Sequence, residues 1–599
     1  MSLLAVSLLV VSLGIYLIPV RLLQRRSYTR TQDYFISSER TPPDVIQNSS
    51  IAYILQAGSF GALFAWGASG DFWPAIVNSV SLGVGLYLVY VLRRPMLEFM
   101  KNALNQGRSI TLHEFIAQHH GNDPRVRLLA SGLTLFALLG LAAGEAFGVA
   151  TLLRPIIIGA DWAVPVFVLS MSLLMMLYAI PSGNSGAMHS AQIQLGIAYL
   201  SLFGAMILLL YMLVAELKPV TSPGLVAVAF VAVSCFAMIL FRHSRFVDTS
   251  PIGDANPGRG RPSMRLFRRF GKILNACISI LAVMVTLLAL TKLYSDGSEV
   301  ALRGDISTLL TGTHMSKLGL MALFLFPLFH QIVDMTNWQR VAAFEKDGSL
   351  NDAEPSQRSI AFRRVFRVYA VESPIMRLFM CMFGAISAML IGTASDAGMM
   401  QALVQQLVSQ QNSVAAGAFT LLLIGMFAIA LSTMSLAFSA SLCAIRYDML
   451  PAFWPESSSG DAQAAECRAA TWRTVLVGSG LYLIMAALFC ITGEKLRLSF
   501  GSNEFIGILF AFGCAQLSFV PLILGPVIGR TRGGLGAVSS GWALSVLGVG
   551  AAAGGGAAAI YLITGSEPWL WAAAPACLGS GFLLFAIARL WPAGATGAA

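Results

Sequence analysis

Apolar residues recur along this chain in blocks of roughly 20, the length that crosses ~30 Å of hydrocarbon as a helix. About fifteen such blocks are legible, near 2–20, 46–70, 73–93, 127–153, 163–180, 188–215, 224–242, 273–294, 316–337, 372–393, 413–446, 474–492, 503–527, 536–563 and 568–591. In lipid every backbone N–H and C=O must be satisfied within the protein, so runs of this length are expected to be helices. A soluble chain of 599 residues would split into several cores with polar surface between them. Here the apolar character persists from end to end: 56% of residues are hydrophobic and 11% are charged. Soluble domains carry roughly 25% charged residues. The expected fold class is an all-α polytopic membrane protein.

The loops give the blocks a direction. The first block is followed, not preceded, by Arg21, Arg25, Arg26 and Arg30, so it reads as a retained helix rather than a cleaved leader. Arginines also crowd 94–126, 243–272 and 338–371, while the alternate loops are shorter or mixed in sign. Basic loops mark the cytoplasmic face, so the N-terminus is expected outside and the C-terminus inside a plasma or bacterial inner membrane. The same distribution accounts for the net charge of +10 without a nucleic-acid partner. The partners expected are the lipid bilayer, a small solute and an ion. The eight cysteines show no CxxC spacing and mostly lie in apolar blocks, as small core residues do.

Four stretches carry candidate chemistry. Gln56–Gly70, QAGSFGALFAWGASG, is crowded with small residues inside an apolar block. Such a stretch serves either close helix packing or a helix broken at mid-membrane, where free carbonyls bind a cation. Ala430–Ser441, ALSTMSLAFSAS, sets many hydroxyls in one block. They either bond back to their own helix or, at the adjacent Ser432 and Thr433, converge on an ion lodged against a second helix; a hard cation needs several oxygens. In Pro327–Arg340, PLFHQIVDMTNWQR, Pro327 removes a hydrogen bond near mid-span, and His330, Gln331 and Asp334 are polar at costly depth. Glu145, in LAAGEAFG, is an isolated carboxylate whose burial requires a proton or a partner. Glu145 and Asp334 are the proton-linked candidates. HEFIAQHH (113–120) lacks the HExxH spacing of a zinc hydrolase. With no convergent nucleophile, base or metal set, an enzyme is not expected.

In order along the chain stand Asp33–Phe35 (DYF), the small-residue block Gln56–Gly70, Thr111–Phe115 (TLHEF), Gln339–Arg340 (QR) and Ser432–Thr433 (ST). In this order the chain resembles the sodium:solute symporter family, which includes proline, glucose, sialate and urea-type carriers. The resemblance implies a LeuT-like core of two inverted five-helix repeats, 46–215 and 316–530. It also implies a sodium site between the first and eighth core helices, carried over to the carbonyls of Ala57 and Phe60 and the hydroxyls of Ser432 and Thr433. Substrate at the breaks of the first and sixth core helices would lie near Phe64, Asn78, His330 and Gln331. The other segments would be 1–45, a first helix and basic loop; 216–315, an inserted helical hairpin; and 531–599, two peripheral helices and a tail.

Two features depart from that family. Where members often carry an aspartate in the fifth core helix, this chain has Ala191, in Ser190–Gln194. Two extra blocks, 224–242 and 273–294, intervene before the sixth core helix. The expected function is sodium-coupled symport of a small polar organic solute, such as an amino acid, a monocarboxylate or a urea-like amide, with sodium as the ion. The alternatives are a proton-coupled carrier using Glu145 or His330, and a solute sensor that transports little.

Overall fold

The computed structural model describes residues 34–36, 43–105, 109–154, 162–215, 315–345, 355–391, 399–410, 412–453, 463–496, 498, 503–530 and 537–590. The expected spans near 2–20, 224–242 and 273–294 lie outside the described residues. Among the described residues every regular element is helical: α1 (Pro43–Leu55), α2 (Ala57–Ala68), α3 (Phe72–Val91), α4 (Arg93–Asn105), α5 (Leu112–His119), α6 (Pro124–Leu152), α7 (Ala163–Pro181), α8 (Gly183–Leu213), α9 (Lys317–Val333), α10 (Met335–Glu345), α11 (Pro355–Ile391), α12 (Met399–Ser409), α13 (Ser413–Ala444), α14 (Gln463–Lys495), α15 (Asn503–Cys514), α16 (Val520–Arg530), α17 (Ser540–Thr564) and α18 (Glu567–Leu590). A 3-10 turn, Ala515–Phe519, joins α15 to α16.

Among the described residues, ten helical spans are long and apolar enough to cross a bilayer. Two further pairs qualify only together, α1 with α2, bent by 55°, and α9 with α10, bent by 43°. Large apolar side chains such as Tyr87, Leu173, Leu476, Ile563 and Leu583 are exposed on the outer helices. On a soluble protein they would form aggregating patches; on a chain of apolar spans they face lipid.

The helices form two packed groups. In one, α3 lies against α9 and α11, and α11 lies against both α1 and α2, while α1 also packs on α7–α8 and α13. In the other, α13 is packed on α6 and on α7–α8, and α14 on α6. α17 and α18 pair with each other and reach the rest mainly through α9, α15 and the 3-10 turn. Small residues allow the closest approach. A Cβ at Gly384 would run into the Phe64 carbonyl, with the carbonyl carbon only 2.7 Å away, and one at Gly67 would run into the Cys381 carbonyl. α2 and α11 therefore touch backbone to backbone, the packing mode that membrane helices favour.

Candidate ion and solute site

α1 stops because Gln56 leaves the helix, with φ of 31°. A residue with a side chain seldom takes a left-handed conformation, because its Cβ crowds the following carbonyl. A break has two unlike ends. The last turn of the first half carries unsatisfied carbonyls, and the first turn of the second half carries unsatisfied N–H groups.

The carbonyl end faces α13. Ser432 Oγ lies 3.2 Å from the Ala52 carbonyl and Thr433 Oγ1 lies 3.4 Å from that of Tyr53. Each hydroxyl has one proton, and each has a nearer acceptor inside its own helix, Ile429 O, at 2.7 Å from Ser432 and 3.1 Å from Thr433. When both protons serve Ile429, oxygen lone pairs face carbonyl oxygens across the gap. That contact is repulsive unless a cation lies between. Oxygens ~2.4 Å from a hard cation in octahedral array stand ~3.4 Å apart, which matches this spacing. All four residues are buried.

Two sequence expectations shift here. Ala57 and Phe60, expected to supply the carbonyls, lie in the wound half α2, and the Phe60 N–H already bonds Gln56 O at 2.9 Å. The hydroxyls meet Ala52 and Tyr53 instead. The physical reason is the polarity of the break: residues after it offer donors, and residues before it offer acceptors.

The donor end is closed by Glu145. Its Oε2 accepts from the Ala57 N–H at 2.5 Å and its Oε1 from the Gly58 N–H at 3.0 Å. Glu145 is fully buried on α6, and no cation pairs with it among the described residues. A carboxylate on two N–H groups at a helix start is favoured by the hydrogen bonds and by the helix dipole. Glu145 thus joins the hinge of α1–α2 to the other helix group.

The second bend falls at Asp334, not at Pro327, which sits inside α9. A proline at this depth frees one carbonyl, and Ser81 Oγ of α3 bonds the Phe324 carbonyl on the same stretch. Asp334 caps α10, its Oδ1 accepting from the Thr336 N–H at 2.8 Å. Asn337 Nδ2 donates to the main-chain and side-chain oxygens of Gln331 at 2.9 and 3.2 Å. Gln331 is therefore engaged in holding this bend. His330 is half-buried beside Phe326, with ring centroids 5.0 Å apart, and Gln516 of the 3-10 turn adjoins it. Phe64 stacks with Phe60 and is tilted against Phe383 inside the α2–α11 contact.

Asn78 has an unforeseen partner. Its Oδ1 accepts from Nη1 of Arg377 on α11, a residue 8% exposed whose Nε is buried without a partner. Among the described residues no carboxylate pairs with this guanidinium. Glu372, on the same helix, accepts instead from the Tyr199 hydroxyl at 2.6 Å. The signal was present in the sequence: Arg377 is the one charge in the apolar run 373–391, and charges at such depth mark function.

Around Ala191, Ser190 Oγ and both polar atoms of Gln194 are buried without partners. The histidines of 113–120 do not converge. His113 lies 2.7 Å from Asp448 and 2.8 Å from Thr134, whereas His120 lies between Leu522 and Val538. No metal-holding group of His, Cys, Asp and Glu occurs among the described residues.

The overall fold has a solved counterpart. Over 99% of its length this chain matches 98% of a Na+-coupled sialic acid symporter solved in a substrate-bound outward-open state, with a TM-score of 0.61 and 15% identity. The chain shares that symporter's fold. No family model and no curated protein matches the sequence. At this identity the likeness speaks for architecture, and the chemistry rests on the residues above.

Proposed function

We propose that this protein is a secondary active transporter that moves a small polar organic solute by alternating access, driven by sodium. The carrying observation is a set of four buried oxygens, with the hydroxyls of Ser432 and Thr433 3.2 and 3.4 Å from the carbonyls of Ala52 and Tyr53. The solved structure with the same fold is of a protein described as Na+-coupled, which favours the same ion. The two bent pairs, α1–α2 and α9–α10, would head two inverted repeats, 46–215 and 316–530. Arginine-rich loops would place the N-terminus outside and the C-terminus in the cytoplasm.

On this reading sodium ties the first half of the broken helix to α13 and so favours the substrate-competent arrangement. The group containing α1, α2, α3, α9 and α11 then rocks against the group containing α6 and α13, carrying both cargoes across. Coupling requires only that sodium bind one arrangement better, by ~1–3 kcal/mol. Ala191 stands where an acid would speed ion release, so the neutral Ser190 and Gln194 would line the exit. The test is a thermal melt of purified protein titrated with sodium and with potassium at equal ionic strength. A stabilisation specific to sodium is expected, and equal responses to both ions would refute the reading.

A specific observation favours a second reading, proton coupling: Glu145 holds the hinge through a bare carboxylate. Protonation there would weaken the bond between the two helix groups. Uptake driven by a pH gradient without sodium, and lost in Glu145→Gln, would select this reading over the first.

A further inference from the structure

We infer that the transported solute is an organic anion whose carboxylate is held by Arg377, with Asn78 orienting the guanidinium. The inference rests on the transporter reading above and gives its substrate a class. Arg377 lies at the middle of the apolar stretch Val365–Ile391 and is 8% exposed. A guanidinium cannot discharge itself, so a buried one needs a partner anion. Here the protein supplies none among the described residues: Nη1 donates to Asn78 Oδ1, Nε has no acceptor, and no carboxylate lies within ion-pair distance.

Three further observations direct the missing anion to Arg377. The backbone N–H groups that open α2 are another donor set suited to a carboxylate at the hinge, and Glu145 fills them. Glu372, the nearest acid in sequence, is turned to Tyr199. Asn78 belongs to α3 and Arg377 to α11, within the helix group that also contains the broken α1–α2. The anion would therefore ride on the moving group rather than on its support. His330 and Tyr369 are near enough to feel the guanidinium charge, and Tyr369 also lies beside Arg340. The planar fork of arginine takes a carboxylate through two parallel hydrogen bonds, which a neutral amide or a sugar hydroxyl does not reproduce.

The test uses the purified full chain in sodium buffer. Thermal melts are run with lactate, pyruvate, benzoate and glucuronate, each beside a neutral counterpart: lactamide, pyruvamide, benzamide and glucose. At least one acid is expected to stabilise the protein while its neutral counterpart does not. In Arg377→Gln that acid's apparent Kd should rise at least about 30-fold, as when one member of a buried charge pair is removed. Arg377→Lys, which keeps the charge and loses the fork, should fall between the two. The sodium-induced shift, which depends on Ser432 and Thr433, should persist in both variants and serves as the check on folding. The inference is overturned if no acid shifts the melt, if acid and neutral forms act alike, if Arg377→Gln keeps the acid response, or if chloride alone reproduces the Arg377-dependent shift. Loss of the sodium response in the unaltered protein would instead count against the transporter reading.

Discussion

Replacing Thr433 by valine is the sharpest test of the cation gap, because it keeps the branched shape and deletes one oxygen. In the structure Thr433 Oγ1 stands 3.4 Å from Tyr53 O and 3.1 Å from Ile429 O. The contact to Ile429 is a bond back to its own helix, four residues earlier, and such bonds add little to stability. In the sodium-free protein the change should cost less than about 1 kcal/mol, the net worth of one neutral hydrogen bond. In the sodium-bound protein one of four identified oxygens is lost. Contacts to a charged group are worth ~1.5–3 kcal/mol, so sodium affinity should fall about 10- to 150-fold. Ser432→Ala, which removes the oxygen 3.2 Å from Ala52 O, should act similarly. The assay is a sodium titration of thermal stability, repeated as the sodium activation of uptake in proteoliposomes. Two variants that melt like the parent in sodium-free buffer, yet bind sodium within twofold of it, would show that these hydroxyls are ordinary back-bonded side chains.

Three other outcomes are expected. Glu145→Gln replaces one of two acceptors with an amide N–H facing a backbone N–H; by the loss of one charge-assisted bond it should destabilise the protein by ~1.5–3 kcal/mol, read from denaturant or thermal melts. Gly384→Ala puts a methyl against the Phe64 carbonyl and should cost ~1–3 kcal/mol or more by overpacking; a melt equal to the parent's would mean that α2 and α11 can part freely. His120 lies between α5 and α6, outside the spans, and burial pulls its proton affinity below the usual 6.5, with the bonds at Leu522 and Val538 opposing. The unfolded chain then binds that proton more tightly than the folded one. Its contribution is therefore complete above about pH 6.5 and declines as pH falls toward the lowered value. Melting temperature should drop between pH 7.5 and 5.5, and less steeply in His120→Gln.

Hydropathy alone was enough to make this a chain of apolar helices, because hydrocarbon offers backbone groups no partner and a helix satisfies them locally. The block Gln56–Gly70 and the pair Ser432–Thr433 were also legible, since glycines and adjacent hydroxyls stand out in an apolar run. Which groups meet was a different matter. That the hydroxyls face Ala52 and Tyr53 rather than Ala57 and Phe60 follows from where the chain leaves the helix, at Gln56. The second bend comes at Asp334, because the α-helix absorbs Pro327 while Asp334 caps a new one. The clasp of Glu145 on α2 spans 88 residues of chain and the bond from Arg377 to Asn78 spans 299. Hydropathy and local spacing register how costly a polar group is at its depth. Only the packing of distant helices decides which partner offsets that cost, and at Arg377 it leaves the partner to come from outside the chain.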